Sequence, residues 1–153
     1  MESGDHIVSK TIVIGSDHGG YNLKSVFIAK LKEWGYAVED EGPDCLDSCD
    51  YPLFAAKVCN NLAKDESKLG VLICGTGLGM SMTANRMGIR AALCSNEFHA
   101  RMAREHNDAR ILCMGERVTG QGLALEILKV FLETEFGGDR HQRRIDLIDT
   151  VSK

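Results

Sequence analysis

The sequence predicts an α/β fold: a three-layer, doubly wound domain with a five-stranded parallel sheet and an extended C-terminal helix. Short apolar runs typical of buried strands alternate with stretches of helical apolar spacing. Several of these runs end directly in turns rich in Gly and Asp. Neither an internal repeat nor a break in composition divides the chain. Strict alternation of strands and helices implies a parallel sheet that is covered on both faces.

The first half of the chain follows this alternation. Residues Leu23, Phe27 and Leu31 recur at helical spacing, and Gly35 is well placed to end their helix. The predicted elements are a strand over Thr11–Gly15, a helix over Tyr21–Trp34, a strand over Tyr36–Glu41, a helix from Tyr51 to about Lys64 and a strand over Leu69–Cys74.

The second half repeats the pattern and ends in a basic tail. Its predicted elements are a helix from about Met80 to Arg86, a strand over Ile89–Cys94, a helix over Glu97–Glu105, a strand over Ala109–Met114, a helix over Gly120–Thr134 and a helical tail over Arg140–Val151.

Composition excludes several classes of protein. The chain has 153 residues, 44% of them hydrophobic and 26% charged, as in an ordinary globular domain. A net charge of -4 argues against nucleic-acid and membrane-surface partners, and no apolar stretch is long enough to span a bilayer. Residues 1–9 read as a disordered segment rather than a secretory signal, which leaves a single domain over residues 10–153. We therefore expect a cytoplasmic protein whose six cysteines stay reduced.

Ligands of doubly wound domains bind beyond the C-terminal ends of the strands. One such end carries Cys74, followed by the glycine-rich loop Gly75–Gly79. Backbone N–H groups at the start of a helix form an anion site, and the helix dipole favours a thiolate there. The alternatives are a turn without a ligand and a buried structural cysteine. Asp17-His18 is either part of the site or a hydrogen-bonded loop pair, and His106–Asp108 is either part of the site or a polar helix cap.

The tail concentrates three arginines in an otherwise acidic chain. Arg140 and Arg144 are four residues apart, so on a helix they share one face and can grip a phosphate monoester. A solvated basic face is the alternative. Cys45 and Cys49 provide half of a zinc site at most, and no second pair completes it, so no metal and no cofactor are expected.

Several segments together resemble the type B ribose-5-phosphate isomerases, a group that includes galactose-6-phosphate isomerase subunits. The match covers nearly the whole chain from about Lys10. The matching segments are Gly15–Gly20, Asp50–Pro52, Ile73–Gly79, Ala84-Asn85, His106–Asp108, Gly115–Val118 and Arg140–Arg144.

The resemblance implies interconversion of ribose 5-phosphate and ribulose 5-phosphate through a cis-enediol, without a metal. It implies two catalytic residues, Cys74 as the proton-transfer base and His106 assisting ring opening. Thr76 is the third predicted catalytic residue, because its position beside Cys74 allows it to orient the thiol or to hydrogen-bond the substrate. The residues implied to bind the substrate are Asp17, His18, Tyr51, Gly75, Gly77, Gly79, Asn107, Arg117, Arg140 and Arg144. It also implies a homodimer with shared active sites, or a tetramer of two such dimers.

Two other functions remain open on the sequence. One is an isomerase for a six-carbon sugar phosphate, such as allose or galactose 6-phosphate, which pocket length decides. The other is a non-catalytic phosphosugar-binding module, which would have no use for a thiol at Cys74. A thiol redox protein is disfavoured, because the chain has no C-x-x-C motif.

Overall fold

The computed structural model describes residues 10–153, and the segment predicted to be disordered, residues 1–9, lies outside the described residues. The strands are β1 (Thr11–Ser16), β2 (Ala37–Asp40), β3 (Leu69–Cys74), β4 (Ala91–Leu93) and β5 (Ile111–Gly115). The helices are α1 (Tyr21–Glu33), α2 (Tyr51–Ala63), α3 (Leu78–Arg86), α4 (Glu97–Glu105), α5 (Gln121–Glu133) and α6 (Arg140–Val151). Residues His18–Gly20 form a short 3-10 turn, at the Gly-rich turn predicted after the first strand.

The five strands form one parallel sheet in the order β2-β1-β3-β5-β4. Two apolar clusters cover its faces. The first joins the sheet to α1, α4 and α5, and the second joins it to α2 and α3. Each fully buried Leu, Ile or Phe side chain contributes about 1.5–3 kcal/mol. The predicted three-layer, doubly wound fold is confirmed, and α6 is the extended C-terminal helix.

Most predicted boundaries differ from the observed ones by one or two residues; β5, for example, begins at Ile111 rather than Ala109. Two of these differences arise because backbone groups find other partners. The fourth strand is shorter than predicted, since the Ile89 N–H donates to Ala84 O and so closes the end of α3. The third helix begins at Leu78 rather than Met80, because the left-handed Gly77 before it serves as its N-cap. No helix among residues 10–153 combines the length and the apolar character that crossing a membrane requires.

Candidate active site

Three loops meet at the C-terminal edge of the sheet, after β1, β3 and β5. The Asp17 N–H donates to Ile73 O at 3.2 Å, and the Arg117 N–H donates to Gly75 O at 3.0 Å. Hydrogen bonds between neighbouring chain segments therefore continue past the ends of the strands. They hold the first and third loops against the middle one, which carries Cys74.

Cys74 ends β3 and is 5% exposed. Its Sγ accepts a hydrogen bond from the Gly77 N–H at 3.0 Å. Gly77 adopts a φ of 82°, and a Cβ there would lie 2.9 Å from the carbonyl carbon of Met114. Only glycine suits such a position, so the tight turn that directs this N–H at the sulfur depends on residue 77. The Gly77 N–H and the N-terminal end of α3 therefore both direct positive partial charge at Sγ.

The other buried thiols lack this surrounding. Burial raises the pKa of Cys59 to about 11 and that of Cys94 to about 12. Burial also raises the pKa of Cys113, and the neighbouring Cys74 adds to the effect. These three side chains therefore stay protonated at neutral pH and serve as small apolar groups of the core.

Thr76 lies within the glycine loop, and Tyr51 packs against its end. The exposed Thr76 accepts the Leu78 N–H on its Oγ1 at 3.2 Å, which caps the first turn of α3. Tyr51 begins α2, and its ring lies directly against Gly79, where a Cβ would collide with it. Glycine at position 79 therefore makes the room that the tyrosine ring occupies.

Asp17 and His18 are held by short local contacts at the same edge. The Asp17 carboxylate caps the 3-10 turn, since Oδ1 accepts the Gly20 N–H at 3.1 Å. His18 Nδ1 accepts the Cys49 N–H at 3.2 Å. Arg117 completes the group, because its Nη1 would lie only 3.2 Å from a Cβ on Gly75. The predicted residues Asp17, His18, Tyr51, Cys74, Gly75, Thr76, Gly77, Gly79 and Arg117 thus lie together.

The remaining predicted site residues form a second group, beyond the N-terminal end of β5. His106 follows the last turn of α4, and its ring stacks on that of His141 with centroids 4.3 Å apart. Arg140 and Arg144 lie on α6 beside His141, and both are exposed. Desolvation, followed by the charges of His106, Arg140 and Arg144, lowers the pKa of His141. The charges of Arg140 and Arg144, which add to the effect of desolvation, suit an anion.

Within one chain the two groups do not meet. β5 begins shortly after Asn107 and ends at Gly115, which pairs with Cys74. Four residue steps separate the ends of β5, which corresponds to about 13 Å of strand. The structure therefore does not bring His106, Asn107, Arg140 and Arg144 to the thiol of the same chain.

Sequence reasoning missed two contributors to this edge, Lys24 and the Cys49 amide. Lys24 is 1% exposed on α1. Glu116, which the sequence analysis did include, accepts the Leu23 N–H at 2.9 Å and so ties the β5 loop to α1. The position of Lys24 on the same helix face as Phe27 and Leu31 was the one available signal. Among residues 10–153, no three His, Cys, Asp or Glu side chains are grouped so as to hold a metal ion.

Known proteins resemble the chain over nearly its whole length. Ribose-5-phosphate isomerase B of Escherichia coli K12 is 41% identical over 145 residues, which are 94% of this chain and 97% of that protein. The solved structure of ribose-5-phosphate isomerase B from Clostridium thermocellum matches with a TM-score of 0.90 and 51% identity, covering 93% of this chain and 97% of that one.

The Mycoplasma genitalium ribose-5-phosphate isomerase B, solved with bound ribulose 5-phosphate, matches with a TM-score of 0.90 and 41% identity. It covers 94% of this chain and 97% of its own. The family model described as Ribose/Galactose Isomerase matches residues 12–148. On a match of this extent, the chain belongs to the ribose/galactose isomerase family.

Proposed function

We propose that this protein is an aldose–ketose isomerase that interconverts ribose 5-phosphate and ribulose 5-phosphate through a cis-enediol. The observation that carries the proposal is the buried Cys74, whose Sγ accepts the Gly77 N–H at the start of α3. In the proposed mechanism the thiolate of Cys74 is the base, and its burial gives bulk water little access to it. Known proteins that match nearly the whole chain are ribose-5-phosphate isomerases by name.

The proposed reaction moves one proton between adjacent carbons. In the open-chain aldose, the Cys74 thiolate takes the proton from C2, and the electron pair forms the C1=C2 double bond. The aldehyde oxygen becomes an enediolate oxygen, and a proton passes from O2 to O1. The thiol then returns its proton to C1 while the C2 carbonyl forms, so no atom or electron is gained or lost.

The glycine loop and Thr76 are proposed to stabilise the enediolate oxygen. Fixed donors aimed at developing charge are worth about 3–4 kcal/mol each when the site excludes water. The Gly77 N–H donates to Cys74 Sγ and is proposed to stabilise the base. Gly75 and Gly79 are proposed to line the enediolate oxygen. Asp17, His18 and Tyr51 are proposed to hold the sugar.

We further propose that two subunits share each site. His106, Asn107, Arg140 and Arg144 lie at the opposite edge of their own chain, so a partner must bring a second copy to Cys74. There the partner's His106 would assist ring opening, and its arginines would bind the phosphate together with Arg117.

Exposed apolar side chains support an interface between copies. Met82 on α3 is 64% exposed, and Val151 on α6 is 78% exposed. Only Ile145 of α6 is buried, so this helix gains little from its own domain. A two-fold dimer would cover these surfaces on both subunits at once. Whether two dimers form a tetramer stays a prediction.

The test is turnover by purified, metal-stripped protein. We expect ribose 5-phosphate to be isomerised at an unchanged rate with and without chelator, since the proposed steps use no metal and no cofactor. Allose 6-phosphate and galactose 6-phosphate serve as competing substrates. A higher kcat/KM for either six-carbon sugar would identify that sugar as the substrate instead of ribose 5-phosphate. Binding without turnover would show that the protein is a phosphosugar-binding module.

We also propose that residues 10–153 form a single domain and that the protein is cytoplasmic.

A further inference from the structure

Residues 42–50, here called the site loop, connect β2 to α2 without regular secondary structure. The loop ends directly before Tyr51 and its amide at Cys49 contacts His18. Most of its side chains are exposed, so packing of the loop itself does not determine its position. Specific polar contacts at its two ends do so instead.

The first end is anchored by a buried ammonium group. Lys24 Nζ donates to both carboxylate oxygens of Asp40, at 2.8 and 3.0 Å, and to Pro43 O at 2.7 Å. These three acceptors match the three N–H donors of a lysine. Asp40 Oδ1 also accepts the Gly42 N–H at 2.8 Å. A buried lysine charge that is fully paired therefore fixes the start of the site loop against α1.

The second end of the site loop determines the tautomer of the His18 ring. The Cys49 N–H donates to His18 Nδ1 at 3.2 Å, across 31 residues of sequence. A ring nitrogen that accepts a hydrogen bond carries no proton, so the neutral imidazole has its proton on Nε2. The thiol of Cys49 takes no part in this contact.

We propose that Lys24 and the Cys49 amide are positioning groups, which hold the site loop so that His18 offers Nε2–H as a donor. In this proposal, neither group contacts the substrate. The inference rests on the proposed function, in which His18 holds the sugar phosphate. Hydroxyl and phosphate oxygens accept this N–H, whereas the other tautomer would present them with a lone pair.

The experiment reads the tautomer of His18 directly, in the protein without substrate. Long-range proton–nitrogen NMR spectra distinguish the protonated ring nitrogen from the unprotonated one. Cys49→Pro removes the backbone N–H, while Cys49→Ala keeps it and is the matched control. Lys24→Met removes the anchor, and Lys30→Met, on the same helix with a side chain 34% exposed, controls for a lost lysine charge.

We expect the wild-type protein, Cys49→Ala and Lys30→Met to carry the His18 proton on Nε2. Cys49→Pro and Lys24→Met should show both tautomers, and their KM for ribose 5-phosphate should rise about tenfold. A misplacement of a site group by about 1 Å can lower activity by about 100-fold, and a mixture of tautomers misplaces the donor in only part of the molecules. An unchanged kcat would distinguish this effect from loss of the base, which lowers kcat.

A proton on Nδ1 in the wild-type protein would overturn the inference. So would an unchanged spectrum and KM in Cys49→Pro, a variant of an exposed loop that does not depend on replacing a buried lysine. The spectrum is recorded without turnover, so a protein that fails to isomerise ribose 5-phosphate can still show the tautomer. Failure of the proposed function and failure of this inference are thereby distinguished.

Discussion

Mixing two inactive variants tests whether active sites are shared. Cys74→Ala removes the base at the C-terminal edge of the sheet, and Arg144→Ala removes a phosphate ligand from α6. The length of β5, about 13 Å, keeps these lesions apart in one chain. In a mixed two-fold dimer, one shared site would therefore contain both lesions and the other would contain none.

The expected magnitude follows from random pairing. Half of the dimers are mixed, and half of the sites in each are intact, so activity returns to about a quarter of wild type per chain. Co-expression of the two variants, followed by purification and a ribose 5-phosphate isomerisation assay, measures this fraction.

A matched pair of lesions on one edge provides the control. Cys74→Ala mixed with Asp17→Asn places one lesion in every shared site, because both residues belong to the same loop group. This mixture should remain as inactive as its parents. Recovery near zero in both mixtures would show that each subunit builds its own site, which would refute the reasoning from the sheet edges.

Three further predictions concern single residues. Cys74→Ala should lower kcat by about 100-fold or more while KM changes little, because a general base contributes about that much to the rate. A kcat near that of the wild-type protein, measured by steady-state kinetics, would show that Cys74 is not the base. Gly79→Ala should lower the melting temperature and raise KM, since its Cβ would collide with the Tyr51 ring. The control Gly122→Ala lies in α5 with open space around it, so the protein should be stabilised by up to about 1 kcal/mol through helix propensity. Inorganic phosphate should raise the pKa of His141, because the nearby positive charges that help to lower it would be neutralised by the anion. An NMR titration in which this pKa stays constant or falls would place the phosphate elsewhere.

The sequence by itself determined the order and type of nearly all elements. Strand and helix periodicity are local properties, so Leu69–Cys74 and Arg140–Val151 agree with the prediction residue for residue. The juxtaposition of Cys74 with Gly75–Gly79 is local as well. It follows from a strand that runs directly into a helix, and it was therefore readable without coordinates.

Tertiary structure alone decided which of these residues meet. His106 stacks on His141, and the Cys49 amide reaches His18, because the path of the chain joins segments that are distant in sequence. The sequence places Lys24 on the apolar face of its helix, but only the structure shows the pairing with Asp40 that allows its burial. Such contacts depend on the relative placement of whole elements, and a local pattern of apolar residues carries no record of that placement.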